Sequence, residues 1–103
     1  MPRTFHELIQ SSKPVLVDFS AEWCGPCQML GPILSELKTR MKDQATVIKV
    51  DVDKNPQLAR SLKIQSVPTL MIYQKGQVMW RQSGVKQATE LEQVLNSFRT
   101  QEV

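Results

Sequence analysis

Cys24 and Cys27 are the only two cysteines of this chain, and two residues separate them. Thiols at this spacing can close a small disulfide ring and open it again. Gly25 permits a tight turn, and Pro26 suits the first turn of a helix because its missing N–H is not needed there. A Cys-x-x-Cys beside a βαβ pattern in an intracellular chain is typical of a redox site. The spacing therefore predicts dithiol–disulfide chemistry at the start of a helix.

An apolar run precedes the cysteines, and a helical pattern follows them. Residues 15–20 are predicted to form a strand buried on both faces, as parallel strands usually are. From Gly25 to about Lys42, apolar residues recur every three or four positions, which predicts a helix with one buried face. Pro32 lies inside this helix and is expected to kink it without ending it. The predicted buried face comprises Cys27, Leu30, Leu34, Leu37 and Met41.

The remaining elements complete a predicted order of α-β-α-β-α-β-β-α. A first helix over about 4–12 is expected to end at Lys13-Pro14, because the residue before a proline is disfavoured in the helical conformation. A helix between the first two strands requires a right-handed parallel crossover, and the last two strands form an antiparallel hairpin. The fold class is therefore α/β, a mixed sheet with helices on both faces, in a single domain over 1–103. The elements after the central helix are a strand over 46–52, a short helix near Pro56, strands over 69–73 and 77–82 joined at Lys75-Gly76, and a helix over 87–99.

Composition excludes several classes of function. The chain has 103 residues, which is long enough for one domain with a single core. Its 41% hydrophobic and 22% charged residues are ordinary for a globular protein, and the net charge of +3 arises from basic residues scattered between acidic ones. We therefore expect no nucleic-acid partner, and no membrane segment, since no apolar run approaches spanning length. The N-terminal residues lack the apolar core of a signal peptide, so a cytoplasmic location is expected.

Several motifs and single residues match those of thioredoxins in order and in spacing, so the sequence resembles a thioredoxin over nearly the whole chain. The motif from Trp23 to Cys27 together with Val67-Pro68-Thr69 is a specific combination, whereas a bare Cys-x-x-Cys is a weak one. The further matching positions are Asp18, Pro32, Lys49 and Gly84. The resemblance implies a thioredoxin fold and a general protein disulfide reductase that works by dithiol–disulfide exchange. It also implies that the chain itself binds no cofactor.

The chain departs from the thioredoxin pattern in four places. Thioredoxins usually begin with a strand before the first helix, whereas only four residues precede Phe5 here. We therefore expect a four-stranded sheet flanked by four helices, with the 47–52 strand at an edge. Ser20 stands where bacterial thioredoxins often carry an aromatic residue, Gln28 where a basic residue is common, and Ser83 where an apolar one is usual. These changes leave the thiol chemistry intact but bear on redox potential and partner preference.

The resemblance also assigns roles to the thiols and to two charged residues. Only a thiolate attacks a disulfide, and the positive end of the helix favours an accessible Cys24 as the attacking group. Cys27, one helical turn away and buried, is expected to resolve the mixed disulfide intramolecularly. Asp18, a carboxyl group in an apolar strand, is expected to have a raised pKa and to take the proton from Cys27. Lys49 is expected to limit that rise.

A substrate-binding surface is expected around the thiols. In the family the proline at position 68 is cis and packs against the disulfide, so the backbone N–H and C=O of Val67 are able to pair with a target strand. The expected partners are disulfide-containing target proteins and an NADPH-dependent flavoprotein, thioredoxin reductase. The expected state is a monomer, with dimerisation through the edge strand left open. The flat, mostly apolar surface comprises Trp23, Gly25, Pro26, Val67, Pro68 and Gly84.

Other roles for the same residues stay open at this point. The cysteine pair is alternatively a structural bridge or half of a zinc site, although structural zinc needs four ligands and His6 is the only further imidazole or thiol. Asp18 could instead be a hydrated strand residue with no role in proton transfer, and Lys49 could be a solvated charge on an edge strand. A thioredoxin-fold binding module would use the same apolar surface without the thiols, and Gly25-Pro26 disfavours an isomerase or oxidase. The methionines expected in or near the core are Met29, Met41, Met71 and Met79.

Overall fold

The computed structural model describes residues 3–99, and its elements follow the predicted order. The ends of the elements agree closely with the sequence prediction, except at the first helix. A 3₁₀ turn over Lys42–Gln44 follows the long helix. The helices and strands are α1 Phe5–Leu8, β1 Val15–Ser20, α2 Gly25–Met41, β2 Thr46–Asp51, α3 Pro56–Ser61, β3 Thr69–Gln74, β4 Gln77–Ser83 and α4 Ala88–Ser97.

The first helix, α1, is shorter than the predicted 4–12. Its start is a capping box, in which Thr4 Oγ1 accepts from the N–H of Glu7 at 3.2 Å and the Glu7 carboxylate accepts from the N–H of Thr4 at 3.3 Å. At the other end, the N–H of Gln10 turns back to the Glu7 carbonyl at 3.2 Å, and the Gln10 side chain donates to the His6 carbonyl at 3.1 Å. These bonds satisfy the last carbonyls of the helix, so α1 ends at Leu8, well before the proline.

The sheet has the strand order β2-β1-β3-β4. β1 runs parallel to β2 and antiparallel to β3, and β3 and β4 form an antiparallel hairpin. Every residue of β1 is buried, whereas β2 is only partly buried because it lies at an edge, as predicted. In the hairpin turn, Lys75 and Gly76 have φ of 52° and 81°, the left-handed conformation that short hairpins require.

The side chains of β1 alternate between two cores on opposite faces of the sheet. Leu16 belongs to the core formed with α2 and α4. All five predicted residues of the α2 face are buried, four of them in this core and Cys27 in a separate cluster with Cys24. Val17 and Phe19 belong to the other core, with residues of α1 and α3 packed around them. Because the alternation has a period of two, Asp18 and Ser20 lie on the same face as Leu16. Two polar residues of β1 thus lie on the face of the sheet that α2 covers.

Of the four methionines that were predicted to lie in or near the core, two do not. Met41 and Met71 are buried, but Met29 and Met79 are among the exposed large hydrophobic residues. Met29 lies on the side of α2 that turns away from the sheet, and Met79 lies on β4, the second edge strand, most of which is exposed. Hydrophobicity alone did not separate these positions from the core.

Candidate active site

Cys24 is the N-cap of α2, and Cys27 lies in the first turn of that helix. The two side chains are joined as a disulfide, with their Cα atoms 5.2 Å apart. The backbone N–H of Cys27 donates to Cys24 Sγ at 3.2 Å, in the place where an N-cap hydroxyl or carboxylate oxygen ordinarily accepts. The first N–H groups of a helix have no intrahelical partner and favour negative charge. When the disulfide opens, this local field stabilises a thiolate at Cys24.

The expected contrast between an accessible Cys24 and a buried Cys27 is absent from the disulfide form. Cys24 is 4% exposed and Cys27 is 3% exposed. The carbonyl oxygen of Val67 lies 3.6 Å from Cys24 Sγ, which is a contact without a hydrogen bond because a disulfide sulfur carries no proton. Ala21 and Val52 also pack in this cluster. The prediction of an exposed Cys24 is therefore wrong for this state, and the N-cap position is what distinguishes the two sulfurs.

Asp18 lies on the α2-facing side of β1 and is only 1% exposed. Burial raises its pKa from 3.8 to about 6, and the positive charge of Lys49, its register partner on β2, opposes that rise. Both directions agree with the sequence prediction. Asp18 Oδ1 and Ser20 Oγ are buried and find no hydrogen-bond partner within residues 3–99. A carboxyl group with a pKa of about 6 exchanges its proton near neutral pH, as a general base does.

The loop before β3 reaches the disulfide through Val67, and Pro68 follows it in the chain. The Val67–Pro68 peptide bond is cis, as the resemblance implied. Pro68 is buried, and its carbonyl accepts from the N–H of Gly84 at 2.8 Å, so the loop after β4 lies beside the loop before β3. Within the described residues, the backbone N–H and C=O of Val67 make no hydrogen bond to the protein. These two groups are therefore available to an extended segment of another chain.

Trp23 lies on the outer side of the site, with 72% of its surface exposed. Its Nε1–H donates to Asp53 Oδ2 at 2.8 Å, so the indole is tied to the turn after β2 rather than to another residue of the predicted surface. That turn is ordered by Asp51, whose Oδ1 accepts from the N–H groups of Asp53 and Lys54 at 2.8 and 3.2 Å. Sequence reasoning missed Asp53 as a functional neighbour. Its only signal was a polar turn after a strand, which names no partner.

The geometry of the site defines a class of protein. Within residues 3–99, no three His, Cys, Asp or Glu side chains form a group that could hold a metal ion. None of the helices described is long and apolar enough to cross a membrane. A disulfide held at the N-terminus of a helix, beside a buried carboxyl group of raised pKa, is suited to exchange with the thiols and disulfides of other molecules. The class is therefore that of a thiol–disulfide exchange protein.

Comparison with known proteins identifies the family within that class. A family model described as Thioredoxin matches residues 1–97. A thioredoxin-like protein from Synechocystis sp. is 48% identical over 95 residues, which are 91% of this chain and 90% of the relative. The bifunctional thioredoxin reductase/thioredoxin of Mycobacterium leprae is 48% identical over 82 residues, 80% of this chain and 18% of that protein.

A solved structure agrees with these relatives. A mutant thioredoxin from Halobacterium salinarum superposes with a TM-score of 0.83 at 33% identity, over 95% of this chain and 85% of that one. The chain belongs to the thioredoxin family. It is a protein-disulfide oxidoreductase, and Cys24 and Cys27 are the pair that undergoes dithiol–disulfide exchange.

Proposed function

We propose that this protein is a general reductase of protein disulfides, in which Cys24 attacks the target and Cys27 completes the exchange. The observation that carries this assignment is the N-cap position of Cys24, where the N–H of Cys27 donates to its sulfur. In the first step the Cys24 thiolate bonds to one target sulfur, and the other target sulfur leaves as a thiolate that takes up a proton. In the second step the Cys27 thiolate attacks Cys24 Sγ. The remaining target sulfur then leaves reduced, and the protein is left as a disulfide.

Asp18 is the proposed base of the second step. Cys27 is buried in the first turn of α2, where its thiol needs a nearby acceptor to ionise. Asp18 lies on the face of the sheet that α2 covers, and at its pKa of about 6 the carboxyl group is mostly ionised at neutral pH. The role proposed for Lys49 is electrostatic, since its charge favours the ionised form of Asp18. Burial of Asp18 and its unpaired oxygen support this assignment.

The proposed docking surface receives an extended target segment. The unpaired N–H and C=O of Val67 offer two hydrogen bonds to a target backbone, in the manner of strand addition at a sheet edge. Backbone pairing of this kind accepts many sequences, as a general reductase requires. Exposed apolar area at Trp23 would cover the target beside the disulfide. The residues assigned to this surface are Trp23, Gly25, Pro26, Val67, Pro68 and Gly84.

The proposed source of electrons is an NADPH-dependent thioredoxin reductase. A relative in which thioredoxin reductase and thioredoxin are parts of one protein supports this pairing. The proposed setting is the cytoplasm, and the proposed active unit is a single-domain monomer, since one copy holds both sulfurs and the proposed base. NADPH consumption that depends on reductase, this protein and a disulfide target together would test the pairing. Sedimentation at several concentrations would test the monomer.

The decisive experiment separates the roles of the two sulfurs. The parent protein is expected to accelerate the precipitation of insulin by dithiothreitol, whereas Cys24→Ser and Cys27→Ser should not. Cys27→Ser should accumulate mixed disulfides with target proteins, because its attacking sulfur remains and its resolving sulfur is gone. Cys24→Ser should accumulate almost none. Equal trapping by both variants would contradict the assignment of roles, and full function of the double variant would indicate a binding module instead.

A further inference from the structure

Two serine hydroxyls join the loops that frame the disulfide. Ser66 Oγ donates to Ser83 Oγ at 3.3 Å, and both residues are exposed. Ser66 directly precedes Val67, whose backbone groups are unpaired among the described residues, and Ser83 directly precedes Gly84. The hydroxyl pair therefore lies at the border of the docking surface, where a target segment bound to Val67 would pass.

The main chain on both sides of this pair is held firmly. Thr69 is buried, and its Oγ1 donates to the Ser66 carbonyl at 2.7 Å. Thr69 is also the register partner of Ser83 in the β3–β4 ladder, and the Gly84 N–H bonds to the Pro68 carbonyl next to it. The backbone thus fixes the Cα and Cβ atoms of both serines, while each hydroxyl group is free to rotate about its C–O bond.

The two hydroxyls have donor and acceptor sites that the bond between them does not use. A hydroxyl offers one donor and two acceptor sites, and the Ser66–Ser83 bond uses one donor and one acceptor. Within residues 3–99, neither hydroxyl bonds to any other protein group. An apolar target side chain pressed against the pair would remove water from these sites without replacing its hydrogen bonds, whereas a polar side chain would replace them. The border of the surface therefore discriminates by polarity.

We propose that Ser66 and Ser83 form a specificity site that selects targets with a hydroxyl or amide side chain next to the cysteine that Cys24 attacks. The inference rests on the proposed function, because the attack by Cys24 and the pairing with Val67 place the target segment. The serine pair would select targets by side-chain polarity, which backbone pairing alone does not do. Ser83 is essential to this selection, since an apolar side chain at that position would offer the target no hydrogen bond.

The test compares two pairs of disulfide peptides, and the members of each pair differ at one position. The residue before or after the attacked cysteine is Ser or Val, and kcat/KM is measured with the reduced parent protein. On at least one side, the Ser peptide is expected to react roughly three- to tenfold faster than the Val peptide, the factor expected of one net hydrogen bond. Ser83→Ala should bring that ratio close to one, and Ser83→Val should reverse it. Ser61→Ala is the matched control, because it removes an exposed serine hydroxyl of α3 that bonds only to the Leu58 carbonyl.

Three outcomes would overturn the proposed specificity site. Equal rates for Ser and Val peptides on both sides, or a ratio that Ser83→Ala leaves unchanged, would overturn the specificity site while leaving the reductase intact. If the hydroxyl pair only braces the two loops, Ser83→Ala will slow all four peptides by the same factor, and this also overturns it. Failure of the parent protein to reduce any peptide would contradict the proposed function itself, and the inference would fall with it.

Discussion

The inner and outer sides of the disulfide invert the usual distribution of polarity in a protein. On the inner side, Asp18 and Ser20 are almost wholly buried, and each keeps an oxygen without a partner among the described residues. On the outer side, Trp23 and Met29 leave large apolar surfaces exposed. Burial of unpaired polar groups destabilises a fold, whereas exposed large apolar groups typically mark a contact surface for other molecules. Such features persist at functional sites, where chemistry requires them.

Substitutions on the two sides are therefore expected to change different properties of the protein. The inner side bears a titratable carboxyl group, so changes there should alter pH dependence and stability. The outer side bears contact area, so changes there should alter apparent affinity for protein targets and leave the fold unaffected. Substitutions on each side, with matched controls elsewhere, test whether this separation holds.

The largest effect is expected from Asp18→Asn. The parent Asp18 binds its proton more tightly when folded, because its pKa is about 6 in the fold against an ordinary value of 3.8. Its stabilising contribution is therefore complete below pH 3.8 and is lost as the pH rises through about 6. The loss corresponds to about 3 kcal/mol, so the uncharged variant should be more stable than the parent at pH 7 by up to that amount and gain only a small part of it near pH 4. Urea unfolding of the disulfide form at both pH values measures this difference.

The same substitution should slow the reaction. Removal of a general base typically costs a factor of about 10² or more, so release of the target from the mixed disulfide should slow strongly in single-turnover experiments. Asp43→Asn is the control, because it removes an exposed carboxylate at the opposite end of α2. A variant whose stability relative to the parent is the same at pH 4 and pH 7 would show that Asp18 is not a destabilising charge. Unchanged release would exclude it as the base.

The next effect concerns Trp23→Ala on the outer side. Loss of the exposed indole should raise KM for protein targets about five- to tenfold, as expected for a tryptophan at a contact surface, with kcat and the free energy of unfolding nearly unchanged. Asp53→Ala should have a smaller effect of about twofold, because the ring remains and only the bond that orients it is lost. Steady-state kinetics with a protein target and with a small aromatic disulfide measure both.

Met79→Ala provides the control for the outer side. Met79 is an exposed large hydrophobic residue on β4, outside the docking surface. Met79→Ala should therefore leave KM for protein targets unchanged. If Met79→Ala weakens target binding as much as Trp23→Ala, exposed apolar area is acting nonspecifically and the docking surface is wrongly placed.

The sequence predicted most of the framework because the framework follows from local patterns. An apolar run located β1 as a fully buried strand, and apolar residues at every third or fourth position located the inward face of α2. The parallel crossover and the antiparallel hairpin followed from chain connectivity, and β2 lies at the edge that the resemblance implied. The pKa of Asp18 was predictable in direction, since a carboxyl group within a buried strand must be desolvated.

What the sequence did not predict depends on contacts between distant segments. The cover over Cys24 comes from Val67, which is 43 residues away, and the acceptor for Trp23 comes from Asp53, which is 30 residues away. The early end of α1 depends on the hydrogen bond from the Gln10 side chain to the His6 carbonyl, which hydrophobic periodicity does not predict. Local pattern identified the chemistry of the site, and tertiary contact decided which groups surround it.

The smallest predicted effect tests the electrostatic link between the edge strand and the inner side. Lys49→Gln removes the positive charge that lowers the pKa of Asp18, so that pKa should rise. The effect is small because Lys49 is exposed and water screens its charge. Carboxyl ¹³C titration of Asp18 by NMR measures it, and high salt should reduce the difference from the parent.

Lys49→Arg and Lys38→Gln complete this test. Lys49→Arg keeps the charge at the edge and should leave the titration of Asp18 where it is. Lys38→Gln removes the same charge from an α2 residue that lines the same groove as Lys49 but does not act on Asp18. A shift with Lys38→Gln equal to that with Lys49→Gln would mean that Asp18 responds to net charge alone. In that case the β1–β2 register would have no specific part in setting its proton affinity.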